Sequence, residues 1–97
     1  MDVHVTPAAE KDLADALNWY DDNAPGVGLR LLDEFDALVA RIAEGPRQFP
    51  RVQTGVHRAG FRSFPYGLFY SVARDRVTVF ACVHTSRDPL IWQPRAQ

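Results

Sequence analysis

Cysteine is nearly missing from this chain: Cys82 stands alone among 97 residues. One thiol cannot close an internal disulfide, which points to a reducing compartment and a cytoplasmic protein. Placed mid-strand among apolar neighbours, Cys82 reads as a small buried hydrophobe rather than a reactive thiol. Long apolar runs are absent too. None approaches the roughly 20 residues of a membrane-spanning helix, so no membrane partner is expected. The opening Met-Asp-Val-His-Val lacks the basic-then-apolar order of a secretory signal. Low-complexity tracts are missing and the apolar fraction is 46%, which argues against disorder. The length suits one domain over residues 1–97. His4, His57 and His84 are scattered and make no metal constellation with the single cysteine. With no glycine-rich phosphate loop and no nucleophile elbow, neither metal nor cofactor is expected.

Lysine is scarce as well, and the cations that remain are unevenly placed. Residues 1–45 hold ten acids against Lys11, Arg30 and Arg41. Residues 46–97 hold only Asp75 and Asp88 against eight arginines, at 47, 51, 58, 62, 74, 76, 87 and 95. Such a split suggests a basic surface used on something anionic, although solvated charge on one side of the molecule is the plainer alternative. Arginine offers a planar fork that matches carboxylate or phosphate.

Residues 2–6 alternate around Val3 and Val5 and fit a short strand. Thr6-Pro7 then marks a helix start, with a hydroxyl to cap free N–H groups and proline at the first helical position. Ala9, Leu13, Ala16, Leu17 and Tyr20 recur at helical spacing, and the helix should stop near Asp21–Asn23. Ala24-Pro25-Gly26 is turn chemistry. A second helix is predicted from about Val27 to Glu44 on the stripe Leu31, Leu32, Phe35, Leu38, Val39 and Ile42, closed by Gly45-Pro46. Residues 47–54 read as a loop. Strands follow at Val56–Ser63, with Arg58 and Arg62 on one face and His57, Ala59 and Phe61 on the other, and at Tyr66–Val72. The last strand, Val77–His84, sets Val77, Val79, Ala81 and Val83 against Thr78, Phe80, Cys82 and His84. The fold class is therefore α+β, in the order β-α-α-β-β-β. An N-terminal helical hairpin packs on one face of a small antiparallel-type sheet. Which edge the first strand takes is left open.

Three segments, DLADALNWYDDNAPGVG, VHRAGFRSFPYGLFY and VHTSRDPLIWQPR, carry a resemblance over nearly the whole chain. The pattern FPYxxxY followed by HxxRDPxxW resembles the RelE/ParE superfamily of type II toxins, and within it the ParE-type, or plasmid-stabilisation, branch. The resemblance implies a small cytoplasmic toxin held in a hetero-oligomer by a cognate antitoxin, ParD-like or other, that wraps it. ParE-like members inhibit DNA gyrase. RelE-like members are metal-independent ribonucleases that cut messenger RNA on the ribosome, and they tend to carry a Lys/Arg cluster and a C-terminal acid–base residue, often tyrosine. Here the second half has no lysine and no tyrosine follows Tyr70, which favours gyrase over ribosome and mRNA.

Cleaving RNA without a metal needs a base, an acid and cations for the developing charge. His84, Arg62 and Arg87 are the residues of the right types if the chain is a nuclease, with Arg58 possible support. As partner-binding residues the candidates are Arg58, Arg62, His84, Arg87, Trp92 and Arg95. Each has a plainer reading. His84 can make a structural hydrogen bond at its strand end, Arg87 can belong to the Arg87-Asp88-Pro89 turn, and Trp92 can cover the sheet. Trp19, Tyr20, Leu31 and Phe35 read as core or helix–helix contacts. Phe61, Phe69 and Phe80 either pack under the helices or offer faces for base stacking.

Overall fold

A computed structural model of the chain describes residues 1–86 and 92–96. Thr6 begins the first helix as its sequence requires. The Thr6 Oγ1 accepts the Ala9 N–H at 3.2 Å, and Pro7 opens α1, Pro7–Asn23. A tight link returns the chain into α2, Gly28–Glu44, whose buried stripe is Leu31, Phe35, Leu38 and Ile42. Gly45 closes α2 by donating to the Arg41 carbonyl at 3.1 Å. Among the described residues no helix is long and apolar enough to cross a membrane.

Five strands form one sheet in the order β1-β5-β4-β3-β2, from β1 (Asp2–Val5), β2 (Arg51–Gln53), β3 (Val56–Gly60), β4 (Tyr66–Val72) and β5 (Arg76–His84). The sheet is mixed. β1 runs parallel to β5, which the two intervening helices allow, and the other pairs are antiparallel. The region read as a loop contains β2, turned onto β3 through Thr54-Gly55 with Gly55 at φ 75°. The strand expected to reach Ser63 ends instead at Gly60, so Arg62 lies in the connection to β4 and does not share the Arg58 strand face.

Both helices cover one face of the sheet, over Ala59, Leu68, Tyr70, Val77, Val79 and Cys82. That set departs from simple alternation. Phe69 pairs with Ala81 and Tyr70 with Val79, so Phe80 is an extra residue in β5. This bulge inverts the pleat beyond it. Val77 and Val79 face the helices, but Ala81 and Val83 belong to a second apolar cluster with Val56, Phe69, Phe80 and Trp92. Phe69 and Phe80 therefore pack against this second cluster and not under the helices. Trp92 covers it, stacked on Phe69 with ring centroids 4.3 Å apart.

The bulge also leaves backbone groups of β5 to be satisfied. β1 pairs only as far as Val79, whose carbonyl takes the Thr6 N–H at 2.9 Å. Past that point Asp12 of α1 and Arg95 of the C-terminal 3-10 turn take over. The Cys82 N–H donates to Asp12 Oδ2 at 3.0 Å, and Arg95 Nη1 donates to the Phe80 carbonyl at 3.3 Å and to Asp12 Oδ2 at 2.6 Å. One ion pair thus occupies the strand edge that the short β1 does not reach.

Candidate functional site

His84 ends β5 opposite Tyr66, with the rings edge-to-face at 5.2 Å. Tyr66 packs against the helix-side core, so the inverted pleat puts His84 on the helix face. Its Nδ1 accepts the Ser86 backbone N–H at 3.1 Å, with the Ser86 hydroxyl at 2.8 Å. A nitrogen that accepts an N–H carries no proton, so the neutral imidazole bears its proton on Nε2. His84 lines two adjoining clefts. One runs beside Asp12, Asp15 and Trp19 of α1, and the other between Trp19, Tyr20, Tyr66 and Ser86.

Trp19 is another residue that sequence reasoning misplaced. It is 56% exposed, whereas Leu31 and Phe35 are buried as expected. A signal was present: Asp12, Asp15 and Trp19 recur at i, i+3 and i+7, one helical face beside the apolar stripe. α1 therefore presents two carboxylates and an indole to a cleft whose other wall is aromatic.

Arg58 lies on the opposite face of the sheet. It pairs across the strands with Phe69, and its Cζ sits 6.0 Å from the Phe69 ring centroid. Arg62 is apart from both. Its side chain is exposed in the β3–β4 connection, and that turn is anchored through backbone: the Arg62 and Ser63 N–H groups donate to Glu34 Oε1 at 3.1 and 2.9 Å. Burial pushes the Glu34 carboxyl upward, but the Ser63 and Arg62 hydrogen bonds and nearby Arg30 outweigh it and hold the pKa below the ordinary value. The cleft that Arg62 lines, against Glu34 and Arg41 of α2, shares no residue with the His84 clefts.

The tail residues have structural partners. Trp92 is 7% exposed against Phe69, and Arg95 is committed to Asp12 and the Phe80 carbonyl. Arg87 lies outside the described residues. His57 stacks on Tyr70 at 5.4 Å and, through Nδ1, donates to the Phe49 carbonyl at 2.8 Å. Tyr70 donates its hydroxyl to the Pro46 carbonyl at 2.6 Å, and burial pushes its pKa up to about 12. Cys82 is likewise pushed up to about 12, by burial first and then by the Asp12 charge. A thiol in that state is a poor nucleophile. His84, Arg58 and Arg62 thus occupy three separate places.

One solved structure, described as the chromosomal ParDE TA system from P. aeruginosa, contains a chain similar to this one. The two share 17% identity at a TM-score of 0.77, with 87% of this chain and 95% of that chain covered. No curated protein sequence matches significantly. At that identity the structural likeness speaks for the fold. The family comes from the sequence model described as "ParE toxin of type II toxin-antitoxin system, parDE", which matches residues 3–89. This chain belongs to the ParE toxin family of type II toxin–antitoxin systems, and an antitoxin is accordingly its partner.

Proposed function

We propose that this toxin acts in the cytoplasm by inhibiting DNA gyrase, and that its antitoxin neutralises it by wrapping around the domain. The observation that carries the choice is the placement of His84 and Arg58 on opposite faces of the sheet. Ribonuclease chemistry would need a proton-transferring imidazole and a charge-stabilising guanidinium at one phosphate. Here the sheet stands between His84 and Arg58, and Arg62 lines a cleft apart from both. Surfaces that offer separate cations, an exposed indole and an aromatic cleft are instead suited to gripping another protein.

The test is expression of the chain without its antitoxin, followed by assays of gyrase supercoiling, gyrase–DNA cleavage complexes and messenger RNA integrity. Loss of supercoiling with intact transcripts is expected. Rapid cutting of transcripts at ribosome-occupied codons with gyrase untouched would overturn the reading in favour of a RelE-like ribonuclease.

A further inference from the structure

The outer sheet face carries a feature that the fold does not need. Gly60 and Gly67 are cross-strand partners on β3 and β4, so a strip beside Arg58 has no side chains. The Arg58 guanidinium fills it. A Cβ on Gly67 would stand 2.7 Å from Arg58 Nε, 2.8 Å from Cζ and 2.8 Å from Nη2, and one on Gly60 would stand 3.3 Å from Nη1. Three guanidinium atoms at nearly one distance from that point mean that the plane of the group lies flat over the glycine backbone. Phe69, itself held by Trp92, flanks it.

The N–H bonds of a guanidinium lie in its plane, so a group laid flat directs them along the surface. Among the described residues no carboxylate or carbonyl pairs with Arg58, and Asp75, the only described acid after residue 45, sits instead beside Asp2 and Arg76. The arrangement is a pre-oriented fork without its anion, and fixing the fork in advance reduces the ordering cost of binding. Carboxylate and phosphate both match such a fork. The surroundings favour carboxylate. Single-stranded nucleic acid binds by stacking bases on exposed rings, yet Phe69, Phe80 and Trp92 are all buried on this face. The chain's net charge of −1 also gives little general attraction for a polyanion.

We propose that Arg58, seated on the Gly60–Gly67 pair, is the receptor for an aspartate or glutamate side chain of the antitoxin. This rests on the reading of the chain as an antitoxin-neutralised toxin and adds the chemistry of one contact to it. It also gives Gly67 a function. The three atoms nearest a methyl group there all belong to the movable end of Arg58, so Gly67→Ala should tilt the guanidinium while the domain stays folded.

The test is calorimetric titration of the purified toxin with its cognate antitoxin at low and moderate salt, with folding checked by circular dichroism. Arg58→Ala should weaken binding at least tenfold. Arg58→Lys should lose nearly as much, because a point charge lacks the fork. Gly67→Ala should lose several-fold with Arg58 still present, and adding it to Arg58→Ala should cost nothing further. If Arg58→Ala does not fold, Arg58→Lys and Gly67→Ala carry the test. Antitoxin affinity within twofold of wild type in the folded variants would overturn the receptor and leave the toxin reading standing. Failure of the wild-type chain to bind antitoxin would remove that reading itself. An oligothymidylate probe that competes with antitoxin in an Arg58-dependent way would replace carboxylate with phosphate.

Discussion

Asp12 and Arg95 should be coupled in stability, and the coupling should be larger than a surface ion pair gives. The pair is short, with Arg95 Nη1 at 2.6 Å from Asp12 Oδ2, and only 31% and 19% of the two side chains is exposed. Exposed pairs contribute about 0–1 kcal/mol. Here each partner also serves backbone that β1 leaves unpaired. Asp12→Ala strands the Cys82 N–H and leaves the Arg95 guanidinium half-sheltered without its anion. An orphaned buried donor costs about 1–3 kcal/mol, so the total should be about 3 kcal/mol. Arg95→Met removes the cation and the hydrogen bond to the Phe80 carbonyl but leaves Asp12 bound to Cys82, so about 1.5 kcal/mol is expected. Asp12→Asn keeps an oxygen for Cys82 and should fall near the arginine variant. Urea denaturation of the four-member Asp12→Ala, Arg95→Met cycle measures the coupling, expected at about 1 kcal/mol. Strictly additive losses, or an Asp12→Ala cost below about 0.5 kcal/mol, would show that the strand edge is satisfied in some other way.

Three further outcomes follow from the same structure. Cys82 and Tyr70 have folded-state pKa values raised from 9.0 and 10.0 to about 12, so both stay protonated in the fold while the unfolded chain ionises. Their contribution is complete below about pH 9 and is lost as pH rises toward 12. Equilibrium denaturation should therefore show stability falling from about pH 9 upward, and Cys82→Ala should make the fall shallower. Glu34 has the opposite sign. Its lowered pKa means a contribution present above the ordinary value of 4.5 and lost as pH falls through the folded value. Glu34→Ala should therefore reduce acid sensitivity and raise amide exchange at Arg62 and Ser63 (measured by hydrogen-exchange NMR). Trp92→Ala should cost about 3 kcal/mol in urea denaturation and uncover Phe69, because it removes the ring stacked there.

The helical hairpin was legible because its signals are local. Thr6-Pro7 and Gly45-Pro46 mark ends through backbone chemistry confined to neighbouring residues, and α1 and α2 begin and stop within a residue or two of them. The bulge at Phe80 was not legible, for a definite reason. Val77 to Val83 is apolar on both parities apart from Thr78, since helices cover one face and Trp92 the other. Where both faces are buried, alternation cannot report a one-residue slip. The short β2 escaped because three exposed or half-exposed residues show no periodicity, and Thr54-Gly55 was its one local mark. Arg95 and Asp12 stand 83 positions apart, so only the fold could reveal that the tail arginine belongs to α1. The family resemblance was legible because its motifs are strings. The division of the candidate residues between two faces was not.

That division follows from the bulge. Without the extra residue, His84 would fall on the same face as Val83 does now, on the side of Arg58 and Trp92. With it, His84 joins Tyr66 and Trp19 on the helix face. A partner segment that engages both the Arg58 seat and the His84 cleft must therefore pass around the sheet. At the β5 edge the way is filled by α1, Asp12 and Arg95. The rows Gly60–Gly67 and Tyr66–His84 lie side by side at the other end of the strands, where the Phe61–Pro65 turn is held by Glu34 and by the Thr85 N–H donated to the Pro65 carbonyl at 2.8 Å. The shortest path between the two surfaces crosses that turn. Arg62, exposed on it and bound among the described residues only through its backbone, lies directly on the route. The three separated residues, His84, Arg58 and Arg62, then stop looking like fragments of a failed active site. On the proposed reading they would mark successive contacts for one antitoxin segment that wraps the domain.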